Sequence, residues 1–288
     1  MITLTNAALS VDVIHPEEDR DRLGPRFCTG GYVYQVRDAE RGDLLSGPEY
    51  PRERPSVING QGMPDVFQHT LFNDAEDIPD RRLVIGVGLL ENSARLRADQ
   101  SHFNSAVEEF CAWEIRTSPD FIAMRATQAL HPWALDVTRV VKLKERTVTI
   151  ETGLSNRGAV PLPYRWFAHP FFPVPPGLQC GIFPRGYRVD PNPGFRMEEG
   201  GRLMMNSGAD WATGHFVLVR CEGPDEELRV RQHHGTIGTV DVRCSFRPAR
   251  LALWANDRTF SFEPFVQGSL DRAGSVRWEM SYRFGGGE

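Results

Sequence analysis

The chain has 288 residues, of which 40% are hydrophobic and 25% are charged, and this balance is typical of a globular protein. A formal net charge of −5 excludes the basic footprint that marks a nucleic-acid-binding protein. No apolar run approaches the roughly 20 residues of a membrane-spanning helix, so neither nucleic acid nor a membrane is expected as a partner.

Short runs of alternating or β-branched residues, separated by turn residues, follow one another along the whole chain. The main predicted strands, in order, are 9–14, 32–36, 83–87, 121–126, 137–143, 147–152, 216–219, 251–254 and 275–284. Glu145-Arg146, between two of these strands, predicts a tight hairpin. No window shows an apolar stripe at helical spacing. The pattern predicts an all-β sandwich or barrel, with residues 1–288 as one domain.

Motifs for metals and cofactors are missing from the sequence. The five cysteines are widely spaced without a CxxC pair, which argues against a zinc ribbon or a disulfide framework. Neither an HExxH motif nor a complete dinucleotide-binding glycine motif occurs. We therefore expect no metal and no cofactor. The N-terminus does not resemble a signal peptide, so the expected location is the cytoplasm.

His169 is the first candidate catalytic residue. It follows a short apolar run and lies among Trp166, Phe167, Phe171 and Phe172. Aromatic faces around a polar group are suited to a pyranose, whose C–H face packs on a ring, so Phe171 is a candidate for substrate binding. The alternative is a core histidine that donates to a backbone carbonyl.

Glu263 is the second candidate, and it lies in an aromatic strand, Phe260 to Phe265. Period two places it on one face with Ser261. Such surroundings desolvate a carboxylate and raise its pKa, as a general base near neutral pH requires. The alternative is a glutamate on an edge strand that faces water, and Pro264 favours an edge or a strand end.

Three further residues are candidates for substrate binding. Asp65 and His69 follow the loop Gly60-Gln61-Gly62-Met63-Pro64, and loop residues on a rigid scaffold often carry function. His131, before Pro132-Trp133, is a weaker case of the same kind.

Several segments together resemble the galactose mutarotase-like (aldose 1-epimerase) superfamily. The segment Asn156-Arg157-Gly158, Leu162-Pro163 and His169-Pro170-Phe171-Phe172 resembles the one that carries the family's catalytic histidine. Phe262-Glu263-Pro264 resembles the late strand that supplies its base, and 270–278 resembles its closing turn, with Ala273 in place of proline. The resemblance implies a β-supersandwich of two large twisted antiparallel sheets, with a carbohydrate cleft on one concave face.

The resemblance also implies a mechanism. Glu263 takes the proton of the anomeric hydroxyl while His169, kept protonated, donates to the ring oxygen. The ring opens, the C1–C2 bond rotates, and closure gives the other anomer. The two groups are expected to face one cleft, far enough apart to flank one pyranose.

The sequence departs from the family in one respect, and alternatives remain open. The family's arginine and second histidine lack their usual contexts here; the candidates to replace them are Arg81, Arg82 and His69. One alternative is a non-catalytic carbohydrate-binding or sugar-sensing protein. Another is a glycoside hydrolase domain, which needs a second carboxylate such as Asp65 or Asp190. No cluster of Lys or Arg near the motifs indicates a phosphorylated ligand, and a monomer or a homodimer is expected.

Overall fold

The structure is a computed structural model, and it describes residues 1–22, 24–68, 71–72, 81–91, 107–222 and 227–285. These ranges contain 25 β-strands in four antiparallel sheets, with short 3-10 helices at Arg20–Arg22, Pro176–Leu178 and Glu199–Gly201. The all-β prediction is confirmed. Within the same ranges, no helix has the length and hydropathy needed to cross a bilayer.

The strands are short in the first third of the chain and reach 12 residues later. Their bounds in chain order are β1 (Ile2–Thr5), β2 (Leu9–Val13), β3 (Val33–Asp38), β4 (Gly42–Asp43), β5 (Asp65–Phe67), β6 (Leu71–Phe72), β7 (Arg81–Val84), β8 (Gly88–Glu91), β9 (Val107–Phe110), β10 (Glu114–Thr117), β11 (Phe121–Leu130), β12 (Trp133–Lys144), β13 (Thr147–Asn156), β14 (Leu162–Ala168), β15 (Phe172–Pro173), β16 (Gln179–Ile182), β17 (Tyr187–Val189), β18 (Phe195–Glu198), β19 (Arg202–Met205), β20 (His215–Cys221), β21 (Arg229–His234), β22 (Gly238–Cys244), β23 (Arg250–Ala255), β24 (Thr259–Leu270) and β25 (Ser275–Phe284).

Two large sheets dominate the fold. One has ten strands in the order β10-β11-β12-β13-β25-β22-β21-β16-β19-β18, and the other has seven, with β17-β20-β23-β24-β14-β5 as its path and β15 paired to β24. Two four-stranded sheets, β1 to β4 and β6 to β9, complete the described part. The predicted hairpin at Glu145-Arg146 joins β12 to β13, with Glu145 at a φ of 52°. The predicted strand 83–87 is wrong beyond Val84, because a turn with Gly86 at a φ of 76° separates β7 from β8.

The two large sheets pack face to face through aromatic side chains. On β14, Tyr164 and Trp166 point to the ten-stranded sheet, where their rings lie 6.0 and 5.2 Å from that of Trp278. Phe172 of β15 lies 6.3 Å from Tyr282 in the same way. Large aromatic groups bury much apolar area each, so this layer is a major source of stability.

A buried ion pair also joins the two sheets. Arg139 of β12 is fully buried and contacts Asp65 of β5, which is 5% exposed. The Arg139 guanidinium also donates to Thr152 and to the carbonyl of Gly30. A buried charge is tolerated when its donors are satisfied in this way.

Strand β24 places alternate side chains on opposite faces of the seven-stranded sheet. Phe262 points inward to the main core, whereas Phe265 belongs to a second cluster on the outer face with Phe167 and Ala252. Ser261 and Glu263 lie on this outer face too, as the period-two pattern predicts. The outer face, covered partly by the N-terminal segment, forms the floor of a cleft.

Pro264 lies within β24, so the expectation of an edge or a strand end is wrong. The amide of Ala249 donates to the carbonyl of Phe265, so the backbone polar groups of Phe265 point toward β23. Those of the neighbouring Pro264 therefore point to the other side of β24. On that side, pairing with β14 stops at Phe265 and pairing with β15 begins at Phe260. Proline is tolerated because no strand there needs its missing N–H.

Candidate functional site

The break between β14 and β15 positions His169. Over this break the chain pairs with the loop before β5 instead: the His169 amide donates to the carbonyl of Pro64 at 2.8 Å, and that of Phe171 to Gly62 at 2.7 Å. Gly62 has a φ of 79°, and a Cβ there would lie 2.3 Å from a backbone oxygen of Tyr34. This loop therefore fixes the backbone around His169, and only glycine fits at position 62.

His169, Glu263 and Ser261 form a contiguous polar group in an aromatic setting. The Nε2 atom of His169 lies 3.5 Å from Oε1 of Glu263, and its Nδ1 atom lies 2.8 Å from Oγ of Ser261. Both members of the pair have side chains only 7% exposed. Phe171 packs on the imidazole with ring centroids 4.4 Å apart, and Trp254 approaches edge-on at 6.1 Å.

The pair is adjacent, and it does not have the wide separation that the sequence suggested. At 3.5 Å, a whole pyranose ring does not fit between the two groups. The spacing suits two oxygens bonded to one carbon instead, because each group can reach one of them. At an anomeric centre, these are the hydroxyl and the ring oxygen.

Burial controls the protonation of the pair. It raises the pKa of Glu263 to about 7, against the opposing charges of Arg26 and Arg250. It lowers the pKa of His169 well below 6.5, and Arg26 lowers it further. Both shifts favour the neutral form of the buried group. The pKa shifts run against the expectation of a histidine kept protonated, because below about pH 7 they favour the proton of the pair on the carboxyl.

The cleft above the pair has a volume of about 350 Å³, at the small end of the usual range for ligand pockets of ~300–1,000 Å³. The residues that define it are His169, Glu263, Arg26, Arg250, Trp254 and Phe171. Asn59 and Gln68 add amide groups, and Phe216, 55% exposed, forms an outer wall. Apolar walls with a few convergent polar groups are characteristic of small-molecule sites.

A larger concavity, of about 630 Å³, lies on the outer face of the ten-stranded sheet. Its charged residues include Arg125, which pairs with Asp136, and Glu151, which pairs with Lys142. No histidine is among the described residues that line it. Its described residues therefore offer no counterpart of the His169–Glu263 pair, so the smaller cleft is the better candidate site.

The structure brings only part of the predicted site together. His169, Glu263 and Phe171 line the cleft, and His69 lies outside the described residues. Asp65 is not at the cleft surface, because it is buried between the sheets against Arg139. His131 is an exposed turn residue between β11 and β12, and Arg82 lies in β7, so neither lines the cleft.

The described cleft residues supply no second carboxylate for a glycoside hydrolase. Among the lining residues that the structure describes, Glu263 is the only carboxylate. Asp190 pairs with Arg220 at an exposed position, 2.7 Å away. A glycosidase of the usual type needs a second carboxylate about 5 to 9.5 Å from the first across the substrate.

Three important cleft residues were not singled out from the sequence. Arg26 lies in the irregular segment between β2 and β3, where no periodicity places it. Arg250 and Trp254 lie on β23, and the register pairs Arg250 with Phe265 and Trp254 with Ser261. Period two along 251–254 could have put Trp254 and Ala252 on one face, but only the pairing shows that the face is that of Glu263.

No family model matches the chain, and no curated protein matches it either. Solved structures do match. A galactose mutarotase-related enzyme from Lactobacillus acidophilus is 10% identical with a TM-score of 0.63, over 98% of this chain and 96% of that one. A galactose mutarotase-like protein from Lactobacillus casei is 12% identical with a TM-score of 0.57, over 98% and 99%. A candidate aldose 1-epimerase from Escherichia coli K12 is 16% identical with a TM-score of 0.55, over 98% and 97%.

These matches span nearly the full length of both chains. Because the sequence identities are low, they bear on the fold alone. They agree with the two large antiparallel sheets and with the motifs that resemble the superfamily. The chain therefore has the galactose mutarotase-like fold.

Proposed function

We propose that this protein interconverts the α and β anomers of an aldose by acid–base ring opening, with His169 and Glu263 as the pair. The observation that carries the proposal is the adjacency of these two buried groups, 3.5 Å apart, at the floor of a cleft of small-molecule size. The reaction needs one group to remove a proton from the anomeric hydroxyl and one to donate a proton to the ring oxygen. Both oxygens belong to the same carbon.

The proton balance of the pair fits this reaction. Below about pH 7 one proton is shared between the carboxyl and the imidazole, so one member is an acid while the other is a base. With the proton on the imidazole, His169 is the acid and Glu263 the base, as the family resemblance implies. Burial favours the opposite distribution, and the roles exchange when the ring closes on the other face of the aldehyde.

Ser261 supports the orientation of the imidazole. A neutral imidazole has one donor and one acceptor nitrogen. With Nε2 directed at Glu263, the Nδ1 atom is left to Ser261 Oγ at 2.8 Å, which holds the ring plane in place. Trp254 and Phe216 then offer apolar faces to the C–H groups of a sugar, and Asn59 and Gln68 offer amides to its hydroxyls.

The test is the rate of anomer interconversion for freshly dissolved aldoses, followed by polarimetry or NMR after subtraction of the spontaneous rate. His169→Asn and Glu263→Gln are each expected to lower kcat by on the order of 10²–10⁴, the usual contribution of one positioned acid or base. His131→Asn and Glu114→Gln are matched controls, because both residues are exposed and lie outside the cleft. They are expected to retain the full rate.

Two results would contradict the proposal in different ways. Acceleration that survives both cleft variants would place the chemistry elsewhere. Binding of sugars without any acceleration would favour the alternative of a carbohydrate-binding or sugar-sensing protein, for which the aromatic walls suffice and the acid–base pair is not needed.

A further inference from the structure

The cleft contains more positive charge than its own carboxylate balances. Arg26 and Arg250 both line it, and among the described residues Glu263 is the only carboxylate that does so. His169 adds no positive charge, because burial lowers its pKa well below 6.5. Counted over the described lining residues, the cleft carries one uncompensated positive charge with Glu263 ionised and two with Glu263 protonated.

Arg26 is a half-buried cation at the inner side of the cleft. It donates to the carbonyl of Ile58 at 3.2 Å, and its guanidinium lies 5.3 Å from the ring centre of Phe27. Burial lowers its pKa, and the charge of Glu263 opposes that effect. Within the described ranges it forms no ion pair, so most of its donors are free to meet a ligand.

Arg250 is exposed at the rim and has still fewer contacts. Its guanidinium lies 5.5 Å from the ring centre of Phe265, the cross-strand neighbour that holds it over the cleft. In the part of the chain that the structure describes, it makes neither a hydrogen bond nor an ion pair. Other arginines at strand surfaces here, such as Arg125 and Arg231, pair with an acid on the adjacent strand. Arg250 is therefore available to a ligand.

We propose that the sugar taken by this cleft carries an acidic substituent, a carboxylate or a phosphate, which Arg250 binds at the rim while the anomeric carbon lies at His169 and Glu263. This inference rests on the proposed function. A guanidinium binds both groups by paired N–H donors, so the chemistry recognised is the same for a sugar acid and for a sugar phosphate. Arg26 is assigned to Glu263 and to the ring hydroxyls near it.

Placing the acidic group at the rim also suits the acid–base pair. A second anion beside Glu263 would raise its pKa further and hinder ionisation. At the rim of the cleft, Arg250 neutralises the negative charge of the acidic substituent and keeps it away from the carboxyl of Glu263. Because Arg250 is exposed, salt is expected to weaken its contact with the ligand.

The experiment compares neutral sugars with their acidic counterparts of the same ring stereochemistry. Galactose, galacturonate and galactose 6-phosphate form one set, and glucose, glucuronate and glucose 6-phosphate form another. Interconversion rates are measured at low ionic strength with the full chain. We expect kcat/KM to be about tenfold higher for the acidic sugar of one set, and we expect added salt to reduce this preference. The better of the carboxylate and phosphate arms identifies the substituent.

Variants test whether Arg250 is the source of the preference. Arg250→Gln is expected to bring the ratio of acidic to neutral kcat/KM close to one, and Arg250→Lys to retain part of it. Arg185→Gln is the matched control, since Arg185 is an exposed arginine of the turn before β17 and lies outside the cleft. It is expected to leave the ratio unchanged. Thermal unfolding of each variant shows that it is folded.

The outcomes separate this inference from the proposed function. A neutral sugar used as efficiently as its acidic counterparts, or a preference that survives Arg250→Gln, overturns the acidic substituent and leaves the epimerase activity standing. No acceleration of any sugar overturns the activity. Calorimetry then decides the inference about the acidic substituent. It is supported if galacturonate or galactose 6-phosphate binds about tenfold more tightly than galactose and Arg250→Gln abolishes the difference. It is overturned if the acidic and neutral sugars bind equally.

Discussion

Replacement of Glu263 by glutamine is expected to stabilise the folded protein while it removes one member of the acid–base pair. The carboxyl is buried in an aromatic setting, and burial raises its pKa to about 7 from an ordinary value of 4.5. In the unfolded chain the same group ionises near 4.5. Between these two values the folded state binds more protons than the unfolded state, so its stability falls as the pH rises.

The magnitude follows from the two pKa values. Each pKa unit corresponds to about 1.36 kcal/mol, so the free energy of unfolding is lowered by about 3 kcal/mol once the pH exceeds 7. Glutamine has nearly the same shape and never ionises, so it escapes this cost. The gain of Glu263→Gln over the wild type is expected to be about 3 kcal/mol at pH 8 and below about 1 kcal/mol at pH 5.

Urea unfolding of both proteins at several pH values measures this difference. Taking the difference also removes the opposite contribution of His169, whose lowered pKa costs stability as the pH falls below 6.5. Glu114→Gln is the control, since Glu114 is exposed, and it is expected to show no pH-dependent gain. A gain of equal size at pH 5 and pH 8, or no gain at either, would refute the account of Glu263 as a carboxylate held neutral by burial.

Three other outcomes are expected. Asp65→Asn leaves Arg139 buried without a charged partner and should lower the free energy of unfolding in urea by about 3–5 kcal/mol. Asp190→Asn, in an exposed pair, should lower it by at most about 1 kcal/mol, and equal losses for the two variants would contradict this account. Interconversion should slow as the pH rises through about 7, where the pair loses its shared proton, and a flat rate profile from pH 6 to 9 would show that no such proton is used. Trp254→Ala removes a cleft wall and should raise KM about tenfold, so an unchanged KM would exclude contact with the sugar.

Much of the fold was predictable because strand patterns are local. The alternation in 275–284 matches β25 residue for residue, and the hairpin at Glu145-Arg146 lies where the turn signal predicts it. Period two also placed Ser261 on the face of Glu263. The boundary near Gly86 was missed, because a run of apolar residues does not reveal a turn within it. The organisation of residues 1–288 as a single domain stays a prediction.

The sequence by itself determined the strand pattern, the aromatic setting of His169 and Glu263, and the composition that excludes a nucleic-acid binder. Those features depend on residues close together in the chain. Only the tertiary structure decided which groups meet. It put His169 within 3.5 Å of Glu263, which lies 94 positions later in the sequence, buried Asp65 against Arg139, and brought Arg26 and Arg250 to one cleft. The reason is that strand order and the break between β14 and β15 are set by long-range pairing and core packing, which no local pattern encodes.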